Sequence, residues 1–169
     1  MKLFQWLLRW IFPTKCLLCR RILDKDELDL CKSCRIHGPE HPAAKNKYPY
    51  LDSWLALWYY ENDARRSLLR YKFHGRRNYA KGYGRLLAMR LLQERESQYD
   101  LITWVPISRL RRLGRGYDQV ELLAKAVGRE LGAEPVCCLR KRRHNPPQSG
   151  IRGAAERRAN VLNAYEPVA

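Results

Sequence analysis

Leu101-Ile102-Thr103-Trp104-Val105-Pro106, then Val120, Leu123, Ala124, Val127 and Leu131 at helical spacing, then Pro135-Val136-Cys137-Cys138-Leu139: the fold class turns on this stretch. The first run is short, apolar and rich in β-formers, and Asp100 and Pro106 bound it, so it reads as a buried parallel strand. The five apolar positions share one face of a helix. Pro135 to Leu139 then supplies another strand. Strand, loop, helix and strand form a βαβ unit, which predicts an α/β domain with a parallel sheet. Inside the second strand, Cys137 and Cys138 read as buried strand residues rather than as ligands or a nucleophile.

Upstream, Leu51 to Tyr60 carries Trp54, Leu55, Leu57, Trp58 and Tyr59, too many large groups for an exposed loop, and is expected as a core strand. Asp63 to Tyr71 follows as a helix capped by Asn62 or Asp63. Tyr83, Leu86, Leu87 and Leu91 mark a second helix ending near Gln98. Pro39, Pro42 and Pro49 punctuate a linker before these elements.

Cys16 and Cys19, then Cys31 and Cys34, make a C-x2-C…C-x2-C pattern around the polar segment Asp24 to Glu27. Each pair can offer two thiolates from one tight turn, and a zinc ion takes four at tetrahedral corners, so the pattern predicts a zinc ribbon with a polar hairpin tip. Disulfides are the competing reading, which a reducing cytoplasm disfavours. A closed four-thiolate shell has no open position, so the zinc is expected to be structural. His37 and His41 lie just beyond and are not needed to complete the shell.

The 169 residues carry a net charge of +16, more of it from arginine than lysine, which favours phosphate-rich partners. No stretch approaches the ~20 apolar residues that cross a bilayer. Leu3, Leu7, Trp10 and Ile11 lie on one face of an amphipathic helix that docks on the protein or on a membrane surface, and no small-residue cleavage site follows. A cytoplasmic location is expected. The organisation read from these patterns is an amphipathic helix over 1–13, a zinc ribbon over 14–36, a linker over 37–50 and the α/β domain over 51–169.

The positive charge is clustered. No acidic residue lies between Asp63 and Glu94, a stretch holding Arg70, Lys72, Arg76 and Arg77 with Tyr71, Phe73 and Tyr79 interleaved. Cations that track phosphates and aromatic faces that stack on bases together bind single-stranded nucleic acid. For the aromatics alone the core reading is preferred, whereas for the charges as a set phosphate binding is preferred over a solvated face. A second cluster, with Arg109, Arg112 and Arg115, falls in the loop between strand and helix. A third contains Arg142, Arg143 and Arg157. His74, with no visible partner, reads as a surface or packing residue rather than an acid or base.

Val105-Pro106-Ile107-Ser108-Arg109 through Arg115-Gly116-Tyr117-Asp118-Gln119 closely resembles the signature of the ComF family, a V-P-x-P-like strand end, an arginine loop and an R-G-F-N-Q element opening a helix. Tyr71-Lys72-Phe73-His74-Gly75 resembles the family's K-F-x-G segment. Pro147 to Ile151 with Glu156 to Val161 resembles its Q-x-x-L…R-x-x-N-V segment, and the cysteine module is the family's usual N-terminal unit. The resemblance implies a type I phosphoribosyltransferase-like, Rossmann-like domain and a role in handling incoming single-stranded DNA during natural competence, with a DNA-uptake or helicase protein as a further partner. Asp118 stands where the family more often has Asn. With Glu121 it forms a capping box, and its carboxylate opposes an anion at that helix terminus.

Such domains also carry two acidic residues and a T-T-G loop that cradles the ribose 5-phosphate of phosphoribosyl pyrophosphate, and no D-D-x-x-T-T-G is present in this sequence. Without both, that substrate is not positioned. The resemblance therefore implies an incomplete domain, a truncated reading frame or fragment, that binds DNA without turnover. The alternative is a phosphoribosyltransferase acting on an unknown acceptor, if the frame continues. A free-standing zinc-ribbon factor leaves the βαβ unit unexplained.

Overall fold

The structure, a computed structural model, describes residues 13–42, 44–45, 50–94 and 99–168, so the amphipathic helix expected over 1–13 lies outside the described residues but for Pro13. Described helices are α1 (Lys32–His37), α2 (Asn62–Phe73), α3 (Tyr79–Gln93), α4 (Arg109–Arg115), α5 (Gln119–Leu131) and α6 (Ala154–Val161). The strands are β1 (Ala44–Lys45), β2 (Ser53–Trp54), β3 (Leu139–Lys141) and β4 (Tyr165–Pro167). Among the described residues no helix is long and apolar enough to cross a membrane.

Three expected helices form. α2 covers the stretch read from Asp63 to Tyr71, but its cap position is Glu61, with no side-chain cap bond from Asn62 or Asp63. α3 starts at Tyr79, four positions before the first apolar residue of the expected face, because Tyr79 and Ala80 are also buried. α5 packs across α3 at Gly84, where an added Cβ would come within 2.5 Å of the Ala126 Cβ and 2.8 Å of its carbonyl carbon. No larger residue fits that crossing without moving backbone.

Asp118 caps α5: its Oδ1 accepts from the amides of Val120 (2.9 Å) and Glu121 (3.2 Å). The expected capping box is only half made, since Glu121 faces Lys125 (2.7 Å) and Arg112 (3.3 Å) instead. The arginine stretch after Pro106 is not a loop. Ser108 caps it, its Oγ accepting from the Arg111 amide, and the stretch winds into α4, which Gly116 closes in the left-handed region (φ 75°) that a side chain would disfavour.

The sheet expectation is corrected. Both sheets among the described residues are two-stranded and antiparallel, β1 with β2 and β3 with β4. Residues 101–106 and 135–138 do run side by side, but the backbone bond between them is Val136 N–H to Ile102 O (2.9 Å), with Cys138 N–H donating to the Thr103 hydroxyl. Leu101, Val105 and Val136 are each about half exposed, so the layers that bury a parallel pair on both faces are not in place. Cys137 is accordingly exposed and Cys138 half-buried, not core residues. Leu51 to Tyr60 is likewise no continuous core strand. Among the described residues it pairs only at Ser53–Trp54 and at a Glu40–Trp58 bridge, and it leaves Leu51, Tyr59 and Tyr60 exposed.

The main core lies elsewhere. Cys16, Leu17, Leu18, Leu30 and Cys31 share one buried cluster with Ala64 and Tyr71 of α2, Tyr79, Ala80 and Tyr83 of α3, and Tyr117. The buried hydroxyls inside it are paired: Ser67 donates to the Leu17 carbonyl and receives the Tyr83 hydroxyl (2.6 Å), Tyr71 donates to Gln119 O (2.6 Å), and Tyr117 to Tyr71 O, whereas Arg70 Nε and Gln119 Oε1 at its edge have no partner among the described residues. The cysteine segment and the helices thus share a hydrophobic core.

Candidate metal centre and nucleic-acid interface

Two tight turns present the four cysteines. In the first, Arg20 N–H returns to Cys16 O (3.0 Å) and Cys16 N–H reaches Arg21 O (2.8 Å), with Arg20 in the left-handed region (φ 68°). In the second, Cys31 caps α1, so that Cys34 sits one turn on and donates its amide to the Cys31 sulfur (3.4 Å). A bond from Cys31 N–H to the Cys16 sulfur (3.4 Å) links the turns. The four Sγ atoms lie within 4.8 Å of one another, and Cys19 Sγ is 3.7 Å from Cys31 Sγ.

These residues fit a metal ion. Four thiolates about 2.3 Å from a tetrahedral centre stand about 3.8 Å apart, the spacing already present between Cys19 and Cys31. Cys16 and Cys31 are buried, Cys34 is half-buried and Cys19 exposed. Burial pushes the Cys34 and Cys19 thiols up. Burial also pushes on Cys31, but the Cys34 amide and the neighbouring thiols outweigh it and bring it down to about 7. His37 and His41 stay outside the cluster: His37 Nδ1 faces Ser33 O (3.2 Å), and His41 packs on Trp54 and Tyr59.

The hairpin tip holds a group that sequence reading missed. The sequence marks Glu27 only as part of a polar hairpin tip, yet its carboxylate is buried and accepts from the amides of Asp24 (2.9 Å) and Lys32 (2.7 Å) and from Arg21 Nη2 (2.5 Å). It fastens the second turn to the first. Asp29, equally unremarked, pairs with Arg85 of α3. The carboxylate spacing alone carries no signal for either.

The basic residues separate into two sets. Arg70 is not part of an open binding face: its Nη2 donates to Leu17 O (3.2 Å) and Leu18 O (2.8 Å) and so tethers the first cysteine turn to α2. Arg112 pairs with Glu121 (3.3 Å), Arg142 with Glu166 (3.1 Å), Arg143 donates to Leu162 O (2.7 Å) and Arg157 to Ile151 O (3.1 Å). Arg109 is exposed and lines a cleft of about 420 Å³ with Arg112, Arg140 and Lys141. Among the described residues, Arg142, Arg143 and Arg157 thus each bond a different group.

The other set converges where α2 ends against α4. Arg115 lies over the Phe73 ring at 4.7 Å, Arg77 lies over Tyr117 at 4.9 Å while donating to Gly116 O (2.7 Å), and Arg76 is exposed beside them. Lys72 is half-buried, and burial together with Arg115 holds its ammonium below the usual lysine range. Arg115 is lowered in the same sense, by burial and then by Arg111. Phe73 stays 58% exposed. The stripe read at 70–79 therefore resolves into buried Tyr71 and Tyr79, an outward Phe73, and cations whose burial and mutual repulsion favour an anion.

Fold and site together define a mixed helix and strand protein with a four-cysteine cluster able to hold a metal ion. Comparison with protein-family models, curated proteins and solved structures finds no match.

Proposed function

We propose that this chain is a ComF-like, non-catalytic binding protein of the DNA-uptake machinery of natural competence. It holds structural zinc at Cys16, Cys19, Cys31 and Cys34 and binds single-stranded DNA in the cytoplasm, with a DNA-uptake or helicase protein as companion. What supports the zinc is the donor set, four soft sulfurs within 4.8 Å of one another, one pair of them at the tetrahedral separation.

The observation that carries the DNA reading is the cation-rich face of Lys72, Arg77 and Arg115 around exposed Phe73. Phosphates would meet the cations there and a base would stack on Phe73 beside the Arg115 plane. The test is affinity for a labelled oligothymidylate over a range of salt. A steep fall in affinity with salt supports the reading, and a flat response excludes a phosphate-dominated contact.

A further inference from the structure

Between the cysteine segment and the start of α3 runs a cleft of about 630 Å³, within the size range that accepts a nucleotide. Lys15 and Arg20 line it from the cysteine side, and Arg76, Lys81 and Arg85 from the helical side. Two carboxylates also reach it, Glu27 and Asp29, but each is already neutralised, by Arg21 at 2.5 Å and by Arg85 at 2.5 Å. Lys15, Arg20, Arg76 and Lys81 make no ion pair among the described residues. Four exposed cations thus remain uncompensated around one cavity. Leu17, Leu23 and Tyr79 supply apolar lining, suited to the sugar and base of a nucleotide whose phosphate meets the rim.

We propose that this cleft is a second phosphodiester site, which takes a further segment of the same single strand, and that the cysteine knuckle builds one of its walls. The proposal rests on the nucleic-acid reading above. Arg76 connects the two places: it lines the cleft and adjoins Arg77, which is fixed on Gly116 beside the Phe73 face. Arg20 makes the cleft depend on the metal. It directly follows Cys19, and its backbone is the left-handed corner of the first cysteine turn. Gly82 sets how closely the walls approach, since a Cβ there would lie 2.6 Å from Asp29 Oδ1 and 2.8 Å from Leu17 Cδ1.

The experiment measures binding of a labelled oligothymidylate of about 15 nucleotides, the upper end of single-strand site sizes, to the zinc-loaded full chain at several salt concentrations. Arg20→Gln/Lys81→Gln should reduce the log–log salt slope by about 1.4, two contacts at ~0.7 each, with zinc content and thermal midpoint unchanged. Lys25→Gln/Arg129→Gln, which removes equal charge elsewhere, should leave the slope in place. Thymidine monophosphate should bind far more weakly than the strand. An unchanged slope in Arg20→Gln/Lys81→Gln overturns the cleft while the nucleic-acid reading stands. Monophosphate binding as tight as the strand overturns it in favour of a free-nucleotide site. A flat slope in the unsubstituted protein overturns both.

Discussion

Arg85 of α3 grips Asp29 of the cysteine segment through two parallel bonds, Nε to Oδ2 at 2.7 Å and Nη2 to Oδ1 at 2.5 Å. The pair is mostly buried, with side-chain exposures of 22% and 11%. A planar fork that meets both carboxylate oxygens fixes orientation as well as distance, so this contact sets how the cysteine segment faces the helices.

Removing one partner leaves the other charge poorly solvated. Arg85→Gln should therefore lower unfolding free energy by about 2 kcal/mol, below the range for a fully buried pair because some solvent reaches this one. Asp29→Asn/Arg85→Gln should cost less than the sum of the two single changes. Urea unfolding at saturating zinc checks both. Strict additivity would show that the fork contributes nothing specific.

Asp118 joins two segments: Oδ1 caps α5, and Oδ2 accepts the Ile107 amide at 2.9 Å. Asp118→Ala should lower stability by about 2 kcal/mol, a lost cap plus an orphaned amide, and Asp118→Asn by less because an amide oxygen still accepts. The comparison is read from urea midpoints. Equal losses in both variants would mean that the segments need both carboxylate oxygens, since an asparagine keeps only one of the two acceptors.

Glu27 gives a pH signature. The amides of Asp24 and Lys32, with Arg21, hold its carboxyl below the ordinary range. A depressed folded value means that the stabilisation is full above the unfolded pKa, about 4.3, and fades as pH falls through the folded one. Glu27→Gln should be less stable than the unsubstituted chain at neutral pH, and the two melting curves should converge as the solution is acidified. Thiolate protonation acts on both proteins alike, so a gap that stays constant down to acid pH counts against the clamp.

On the proposed nucleic-acid reading, Arg115 and Phe73 give two separable readouts. Arg115→Gln should lower the salt slope by about 0.7. Phe73→Ala should weaken binding by roughly 1 to 3 kcal/mol with the slope unchanged, because stacking releases no counterions. If Phe73→Ala flattened the slope, the ring would be a scaffold for the cations and not a platform for bases.

The cysteine cluster was legible because its information is local: two C-x2-C turns bring four sulfurs within reach whatever the rest of the chain does. α5 was legible for a similar reason, since Val120 to Leu131 repeats at one period and Asp118 caps it. The parallel sheet was not, because an apolar run such as Leu101 to Val105 signals only that a partner is wanted, and its burial depends on layers distant in sequence. Nor could the basic stripe reveal that Arg70 ties down the carbonyls of Leu17 and Leu18 while Arg115 crosses from another helix to Phe73. Charge runs record composition, whereas pairing is a property of the folded surface.

The most direct test of the account is the metal content of the purified chain by native mass spectrometry, beside Cys16→Ser and Cys31→Ser. One zinc ion per chain, released from both variants with loss of the cooperative melt, is the result expected, since structural metal binding is coupled to folding. A metal-free chain whose mass is short by the hydrogens that disulfides remove would contradict it.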